Sequence, residues 1–344
     1  MAPLPSPVPL PAPSRQEARH RVAILVPLSG PNAAVGRSIL NAANLALADS
    51  GDTQIEIAPY DTARGAGIAA NRALAEGSRL FLGPLLAEDV RAVAPIARRG
   101  DVPVVAFSND VSVAGNGTYL LGFVPSQSIE RVISHARGTG VQRFAGLIPA
   151  GTYGQRASQA LIDAVERSGG RMVAMQTFAR EPAAIRAAAT RLNTQSPYDA
   201  VLIADNPRLA AAAAPALRPG ARLLGTELWG TDADLAGQRS LHGAWFAAAP
   251  NGLFDQLRTR YRARFGGAPY RLASLGYDAM LMTVRVASDW PLGTPFPQAS
   301  LRTGRFTGID GSFRFGRDGV AQRALEVQQV GPGGVTTASA APRL

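Results

Sequence analysis

Short apolar runs alternate with alanine-rich segments of helical periodicity along most of the chain. The first run covers residues 22–26, and Pro27 ends it because proline cannot donate a hydrogen bond to a neighbouring strand. Beyond a turn at residues 29–32, apolar side chains from Val35 to Ala46 recur at the three- and four-residue spacings of one helix face. The pattern therefore predicts a buried strand, a loop of small residues and a helix.

The same unit recurs down the chain, which predicts parallel sheets with right-handed crossovers. In the first part, the predicted strands are residues 54–59, 79–82 and 102–107, with helices at 66–76 and 88–98. In the second part, the predicted strands are residues 144–148, 172–178, 200–203, 223–225 and 244–248, with a helix at 185–192. Helices at 253–265 and 272–287 and a strand at 324–330 complete the pattern.

A series of motifs resembles, in order, the type I periplasmic binding proteins of the leucine-binding kind. The opening match is Val-Pro-Leu-Ser-Gly-Pro at residues 26–31, followed by a helix that carries a glycine. The later matches are residues 81–85, 102–110, 122–125, 152–154, 224–229, 274–279 and 308–315. The resemblance covers nearly everything from Arg21 to Val330, and the late motifs look most like the penicillin-binding protein activator branch.

The resemblance implies an α/β fold with two lobes, each a mostly parallel sheet flanked by helices, joined by three hinge crossings. Lobe one would contain residues 21–122 and 250–315, and lobe two residues 123–249 and 316–331. Residues 1–20 are rich in proline and predict an extended linker. Residues 332–344 are rich in Gly, Ala and Thr and predict a frayed tail.

Composition narrows the chemistry. Hydrophobic residues make up 46% of the chain and charged residues 17%, which is enough apolar material for a large core. The net charge is +10, and no lysine or cysteine is present. Without cysteine there are no disulfides, thiolate nucleophiles or cysteine metal sites, and without lysine there is no phosphate-loop or Schiff-base lysine. The three histidines have no metal-binding spacing, so the sequence predicts no enzyme, cofactor or metal site.

Loops at the carboxyl ends of the strands should converge on a cleft between the lobes. The candidate ligand-binding residues on these loops are Ser29, Leu86, Ser108, Asn109, Tyr153, Glu227 and Trp229. On lobe one, Ser29 is either a cleft residue or a turn residue. Ser108 and Asn109 can both donate and accept hydrogen bonds, as ligand recognition needs, or can bond to nearby backbone in an ordinary turn.

Three candidates come from lobe two, and each has two interpretations. Tyr153 offers a ring for stacking on a ligand, or closes the hinge face. Glu227 pairs either with a ligand amine or with a nearby arginine. Trp229 either forms a wall of the cleft, which we favour, or fills the core of lobe two. By contrast, Asp278 lies in a helical pattern and is predicted to brace its lobe.

The resemblance to amino-acid binders is incomplete. Such proteins usually carry serine or threonine where Ala87 stands, to hold the ligand carboxylate. Asp110 would repel a carboxylate if it faced the cleft. Glu227 falls where these binders hold an acidic partner for the ligand ammonium. With only half of the amino-acid site present, the pattern favours a regulatory relative whose cleft has diverged.

The sequence thus predicts a non-catalytic envelope protein like a penicillin-binding protein activator, which regulates peptidoglycan synthesis by contact with a synthase. The alternative is the solute-binding component of an ABC-type uptake system for an amino acid or another small polar ligand. A repressor of this fold needs an N-terminal helix-turn-helix, which six prolines between positions 3 and 13 prevent, so no nucleic-acid partner is expected. We expect a periplasmic location, with membrane attachment only through a lipid anchor on a lost N-terminal signal.

Overall fold

The structure is a computed structural model that describes residues 19–231 and 235–343. The predicted linker at residues 1–20 lies outside the described residues except for its last two. The strands are β1 (His20–Val26), β2 (Ile55–Asp61), β3 (Leu80–Leu82), β4 (Val104–Ala106), β5 (Thr118–Leu120), β6 (Arg143–Pro149), β7 (Arg171–Phe178), β8 (Ala200–Ile203), β9 (Arg222–Gly225), β10 (Trp245–Ala248), β11 (Phe306–Gly308), β12 (Gly311–Phe315), β13 (Ala321–Arg323), β14 (Glu326–Gly331) and β15 (Gly334–Ser339). The α-helices are α1 (Ala33–Ser50), α2 (Ala66–Ala75), α3 (Ala87–Arg99), α4 (Pro125–Gly138), α5 (Thr152–Arg167), α6 (Pro182–Asn193), α7 (Pro207–Ala213), α8 (Gly252–Phe265), α9 (Ala273–Ala287) and α10 (Ala299–Thr303).

Lobe one is built on a sheet of five parallel strands in the order β2-β1-β3-β4-β5. The inner strand β1 is fully buried from Val22 to Val26, because helices cover both faces of the sheet. Helices α1 and α9 cover one face, and α2 and α3 cover the other. Burial on both sides explains the unbroken apolar run in the sequence.

Lobe two is built on a seven-stranded sheet in the order β15-β14-β10-β9-β8-β6-β7. The strands from β10 to β7 are parallel, β14 runs antiparallel to β10, and β15 runs antiparallel to β14. Helices α4 and α5 cover one face and α6 and α7 the other. The prediction of a frayed tail from residue 332 is wrong over Gly334–Ser339, because these residues pair with β14 to form the edge strand.

A small antiparallel sheet of β11, β12 and β13 packs on the core of lobe one through Phe313, Phe315 and Ala321. The sequence places residues 316–331 in lobe two, but β13 pairs with β12 on lobe one, so the third crossing lies at residues 324–325. The prediction of two α/β lobes joined by three crossings is confirmed.

Among the described residues, no helix is both long and apolar enough to span a bilayer.

Close contact between α1 and the loop that follows β1 depends on Gly36. A Cβ at this position would lie 1.9 Å from the carbonyl oxygen of Pro27. We predict that Gly36→Ala lowers the free energy of unfolding by at least about 1 kcal/mol, because the helix must move away from the strand. Urea unfolding measures the change. Gly138→Ala is the matched control, because its Cβ meets no atom within 4 Å, and equal losses in both variants would contradict the packing argument.

Candidate functional site

A cavity of about 390 Å³ lies between the lobes, where the loops after β3, β4 and β9 meet the first turn of α1. Most of its wall is apolar and consists of Val35, Leu85, Leu86, Phe107, Phe123, Leu228, Gly230, Ala248, Ala249 and Leu272. The polar part of the wall, within the described residues, consists of Asn32, Asn109, Glu227 and Arg271. Both lobes contribute, so a molecule held here would be enclosed by their closure.

Of the lobe-one candidates, the structure places Leu86 and Asn109 in the cavity wall and leaves the two serines outside it. The Ser29 hydroxyl donates to Asp61 Oδ2 at 2.6 Å, and its backbone N–H also points to the Asp61 carboxylate. Ser108 is buried and its hydroxyl accepts from the backbone N–H of Asp110 at 3.1 Å. Ser29 therefore joins the loop after β1 to the end of β2, and Ser108 serves as a turn residue that accepts from backbone two residues on.

Glu227 lines the cavity, but its carboxylate is held from within lobe two. The hydroxyl of Ser128 donates to Oε2, and that of Tyr153 donates to Oε1 at 3.1 Å. Burial raises the pKa of Glu227. Among the described residues no arginine forms an ion pair with this carboxylate, so the interpretation as an arginine partner is wrong. Tyr153 lies behind Glu227 rather than in the wall, and its ring faces the guanidinium of Arg180.

Trp229 does not form a wall of the cleft, and the interpretation that we favoured is wrong. Its side chain is fully buried in the core of lobe two, and its indole N–H donates to the carbonyl oxygen of Asp205 at 2.9 Å. The ring packs directly on Gly225, where a Cβ would lie 2.2 Å from it. The short 3₁₀ turn at Glu227–Thr231 directs Trp229 inward, where the glycine leaves room for the ring.

Sequence reasoning missed Phe123 and Arg271. Phe123 lies in the first crossing, after β5, a three-residue strand that the sequence pattern did not reveal, and Arg271 lies between α8 and α9, outside any strand-end loop. The Arg271 guanidinium is stacked over the Phe254 ring at 4.4 Å and lies 2.7 Å from a carboxylate oxygen of Asp310. An arginine beside the apolar run that begins α9 was the one signal available for it.

A cluster of buried charges adjoins the cavity at the crossings: Asp278, Asp310, Arg271 and Arg323. Asp278 Oδ1 accepts from the backbone N–H of Ile309 at 2.6 Å, and Oδ2 lies 3.8 Å from Arg323. Burial and the neighbouring Asp310 carboxylate raise the pKa of Asp278 to about 7. Asp278 therefore braces lobe one as the sequence predicted, through charges that the helical pattern does not reveal.

The raised pKa of Asp278 predicts a pH-dependent stability. The folded protein keeps a proton on Asp278 that the unfolded chain releases, so the free energy of unfolding falls as pH rises through the folded pKa. We expect a loss of about 1 kcal/mol between pH 6 and pH 8 in the wild type, and no such loss in Asp278→Asn.

Urea unfolding at several pH values measures this difference. Burial lowers the pKa of His20 and of His135, which adds a slope of opposite sign to both proteins and cancels in the comparison. Asp255→Asn, at an exposed carboxyl, is the control and should keep the slope of the wild type. Parallel curves for the wild type and Asp278→Asn would contradict the assignment.

Asp110 joins the two lobes instead of facing the cavity. Its buried carboxylate lies 2.9 Å from Arg91 of α3 in lobe one and 2.7 Å from Arg156 of α5 in lobe two. Burial alone would raise the pKa of Asp110, but hydrogen bonds from Ser112 and the two guanidinium groups lower it overall. We call the Asp110–Arg156 contact the interlobe ion pair, and it favours the closed arrangement of the lobes.

Comparison with known proteins agrees with this architecture. The sequence pattern of the family described as "Periplasmic binding protein" matches residues 20–335. An uncharacterised protein of Rickettsia prowazekii is 23% identical over 184 residues, which is 53% of this chain and 49% of that relative. The chain thus spans about half the length of this curated relative.

Solved structures of the same fold have several different roles. A leucine-binding protein from Thermotoga maritima is 20% identical, with 93% of this chain and 98% of that chain covered and a TM-score of 0.67. The C-terminal domain of LpoA from Haemophilus influenzae, a regulator of PBP1A, is 19% identical, with 92% and 99% covered and a TM-score of 0.72. A solute-binding protein from R. palustris in complex with benzoate is 15% identical, with 95% and 98% covered and a TM-score of 0.71. At these identities the likeness supports the fold alone.

Proposed function

The chain belongs to the periplasmic binding protein family, and from this premise we propose that it is an envelope protein that binds a small molecule between its lobes. The observation that carries the proposal is the cavity of about 390 Å³, which has walls from both lobes. Its volume is within the range of small-molecule sites, about 300–1,000 Å³. The family is one of binding proteins, and the similar structures include a leucine-binding protein and a solute-binding protein in complex with benzoate, which supports binding rather than catalysis.

The test fills the cavity and asks whether small molecules still stabilise the protein. Val35 lines the cavity, whereas Ala34 is exposed on the same helix, so Val35→Trp and Ala34→Trp form a matched pair. A panel of small metabolites is screened by thermal unfolding against the wild type and both variants. We expect hits that raise the melting temperature of the wild type and of Ala34→Trp but leave Val35→Trp unchanged. Hits that act equally on all three proteins would contradict binding in the cavity.

Free standard amino acids are expected to bind weakly or not at all. Ala87 begins α3 without a hydroxyl, and Glu88 and Asp89 place negative charge in its first turn, so a ligand carboxylate is poorly received. A missing hydrogen bond to a charged group is worth about 1.5–3 kcal/mol, or about ten- to a hundredfold in affinity. Calorimetry with a panel of amino acids measures this, and micromolar binding of leucine would instead support amino-acid uptake.

A second candidate function is regulation of a peptidoglycan synthase through direct contact, as in a penicillin-binding protein activator. The loss of the carboxylate-binding features around Ala87 favours it over nutrient capture. The fold is also that of the LpoA domain, a regulator of PBP1A. The experiment is a pull-down with purified penicillin-binding proteins, followed by a glycan-polymerisation assay with and without this protein. If no synthase binds and no rate changes at low or physiological salt, this second function fails.

A further inference from the structure

Resting on the proposed small-molecule function, we propose that the cavity takes a neutral, largely apolar ligand with one hydrogen-bonding group, directed at Asn109. Such a ligand carries neither a carboxylate nor an ammonium group. An alcohol, amide or ketone on a hydrocarbon or aromatic body belongs to this class. The proposal follows from four properties of the wall. Its lining is apolar, its acid and its arginine already have partners within the protein, and its two asparagine side chains make no hydrogen bond to the described residues.

The lining favours an apolar body. Four segments contribute apolar side chains to one wall: Leu85 and Leu86 from the loop after β3, Phe107 from the loop after β4, Phe123 from the first crossing and Leu272 before α9. These side chains come from four separate segments and surround the same space. Transfer of apolar surface from water into such a space is favourable and needs no polar partner on the ligand.

The acid in the wall is poorly suited to bind an ammonium group. Both oxygens of Glu227 are already hydrogen-bonded to hydroxyl groups within lobe two, those of Ser128 and Tyr153. Burial favours the neutral form of this carboxyl. A neutral carboxyl that already makes two hydrogen bonds gives a buried ammonium group no compensating charge. An uncompensated buried charge is strongly disfavoured.

The cation in the wall is equally poorly suited to bind a carboxylate. Arg271 Nη2 lies 2.7 Å from Asp310 Oδ1, and Nη1 donates to the hydroxyl of Ser274 at 2.8 Å. Its plane is covered by the Phe254 ring on one side and lies near the Phe123 ring. A ligand carboxylate would have to compete with Asp310, which is buried and would lose its partner.

The amide groups are available to a ligand. Asn109 is exposed to the cavity, and within the described residues its side chain makes no hydrogen bond to the protein. The same holds for Asn32, which precedes α1 without capping it. An amide both donates and accepts, so Asn109 recognises a hydroxyl or carbonyl group without requiring a charge.

The experiment first uses N-phenyl-1-naphthylamine, a neutral apolar fluorophore whose emission rises in an apolar site. We expect saturable binding to the wild type, and at least about tenfold weaker binding to Leu86→Asp, which places a charge in the apolar wall. Ile68→Asp is the control, because Ile68 is 72% exposed and lies outside the cavity wall. Thermal unfolding shows whether both variants are folded. Equal binding by the wild type and a folded Leu86→Asp would overturn the proposal.

Displacement of the fluorophore then separates the charge classes on one carbon skeleton. The four competitors differ in charge. Phenylalanine carries both an ammonium and a carboxylate group, and phenylalaninol carries only the ammonium. 3-Phenylpropanoate carries only the carboxylate, and 3-phenylpropanol carries neither. We expect 3-phenylpropanol to compete at least about tenfold better than phenylalanine, and Asn109→Leu to reduce that advantage. If a charged member competes best, the ligand class is wrong while small-molecule binding stands. If the fluorophore does not bind, the ligand class is wrong, and the proposed function fails as well only if the metabolite panel also leaves the melting temperature of the wild type unchanged.

Discussion

Arg323→Met is expected to lower the free energy of unfolding by about 3–5 kcal/mol at pH 8, where Asp278 is ionised, because it leaves that buried carboxylate without its cation. The Arg323 side chain is 2% exposed and lies 3.8 Å from the Asp278 carboxylate. Its guanidinium donates to the carbonyl oxygen of Leu121 at 2.7 Å and faces the rings of Phe123 and Phe313. One side chain therefore joins the first crossing, the third crossing and helix α9, and methionine replaces only its apolar contacts.

Urea unfolding of Arg323→Met and Arg314→Met provides the measurement and its control. Arg314 lies on the neighbouring strand β12, but its side chain is exposed and bonds to Gln322, so its loss should stay within about 0.5 kcal/mol. The double variant Arg323→Met with Asp278→Asn should lose less than the sum of the single changes, because the stranded carboxylate is also removed. Similar losses for Arg323→Met and Arg314→Met would show that the buried cluster does not hold the crossings together.

The sheets could be predicted from the sequence because buried parallel strands leave a clear pattern. Residues 22–26 form a continuous apolar run since helices cover both faces of β1. β5 (Thr118–Leu120) has only three residues, too few to show a period. The edge strand β15 escaped prediction because its side chains are half-buried or exposed, and its order comes from hydrogen bonds to β14.

The candidate site was predictable only where it depends on strand ends. Leu86 and Asn109 follow buried strands directly, so the rule that ligands bind at the carboxyl ends of strands identifies them. Trp229 follows the same rule but turns inward, because its direction depends on a 3₁₀ turn and on the space above Gly225. The position of Arg271 depends on the ion pair with Asp310, almost 40 residues away, and no local pattern reports such a contact.

Arg156→Gln is expected to open the cleft. Arg156 is the lobe-two member of the interlobe ion pair, and its partner Asp110 is 4% exposed. An ion pair between a buried carboxylate and a partly exposed guanidinium contributes about 1–3 kcal/mol, between the values of surface and buried pairs, so the ratio of open to closed molecules should rise at least about fivefold. Added salt should also raise the ratio of open to closed molecules in the wild type. This rise should be smaller than that caused by Arg156→Gln, because the carboxylate is shielded from solvent.

The distance between the lobes can be measured directly, since the chain has no native cysteine to compete with introduced labels. Ile68→Cys in lobe one and Gln195→Cys in lobe two place probes at exposed positions. Arg91→Gln is the matched control, because Arg91 contacts the same carboxylate from within lobe one, and its loss should leave the distance distribution close to that of the wild type. A longer mean distance in Arg156→Gln alone would identify the contact across the cleft as the cause. If Arg156→Gln and Arg91→Gln give the same distribution of distances between the lobes, closure depends on the apolar walls and the crossings instead.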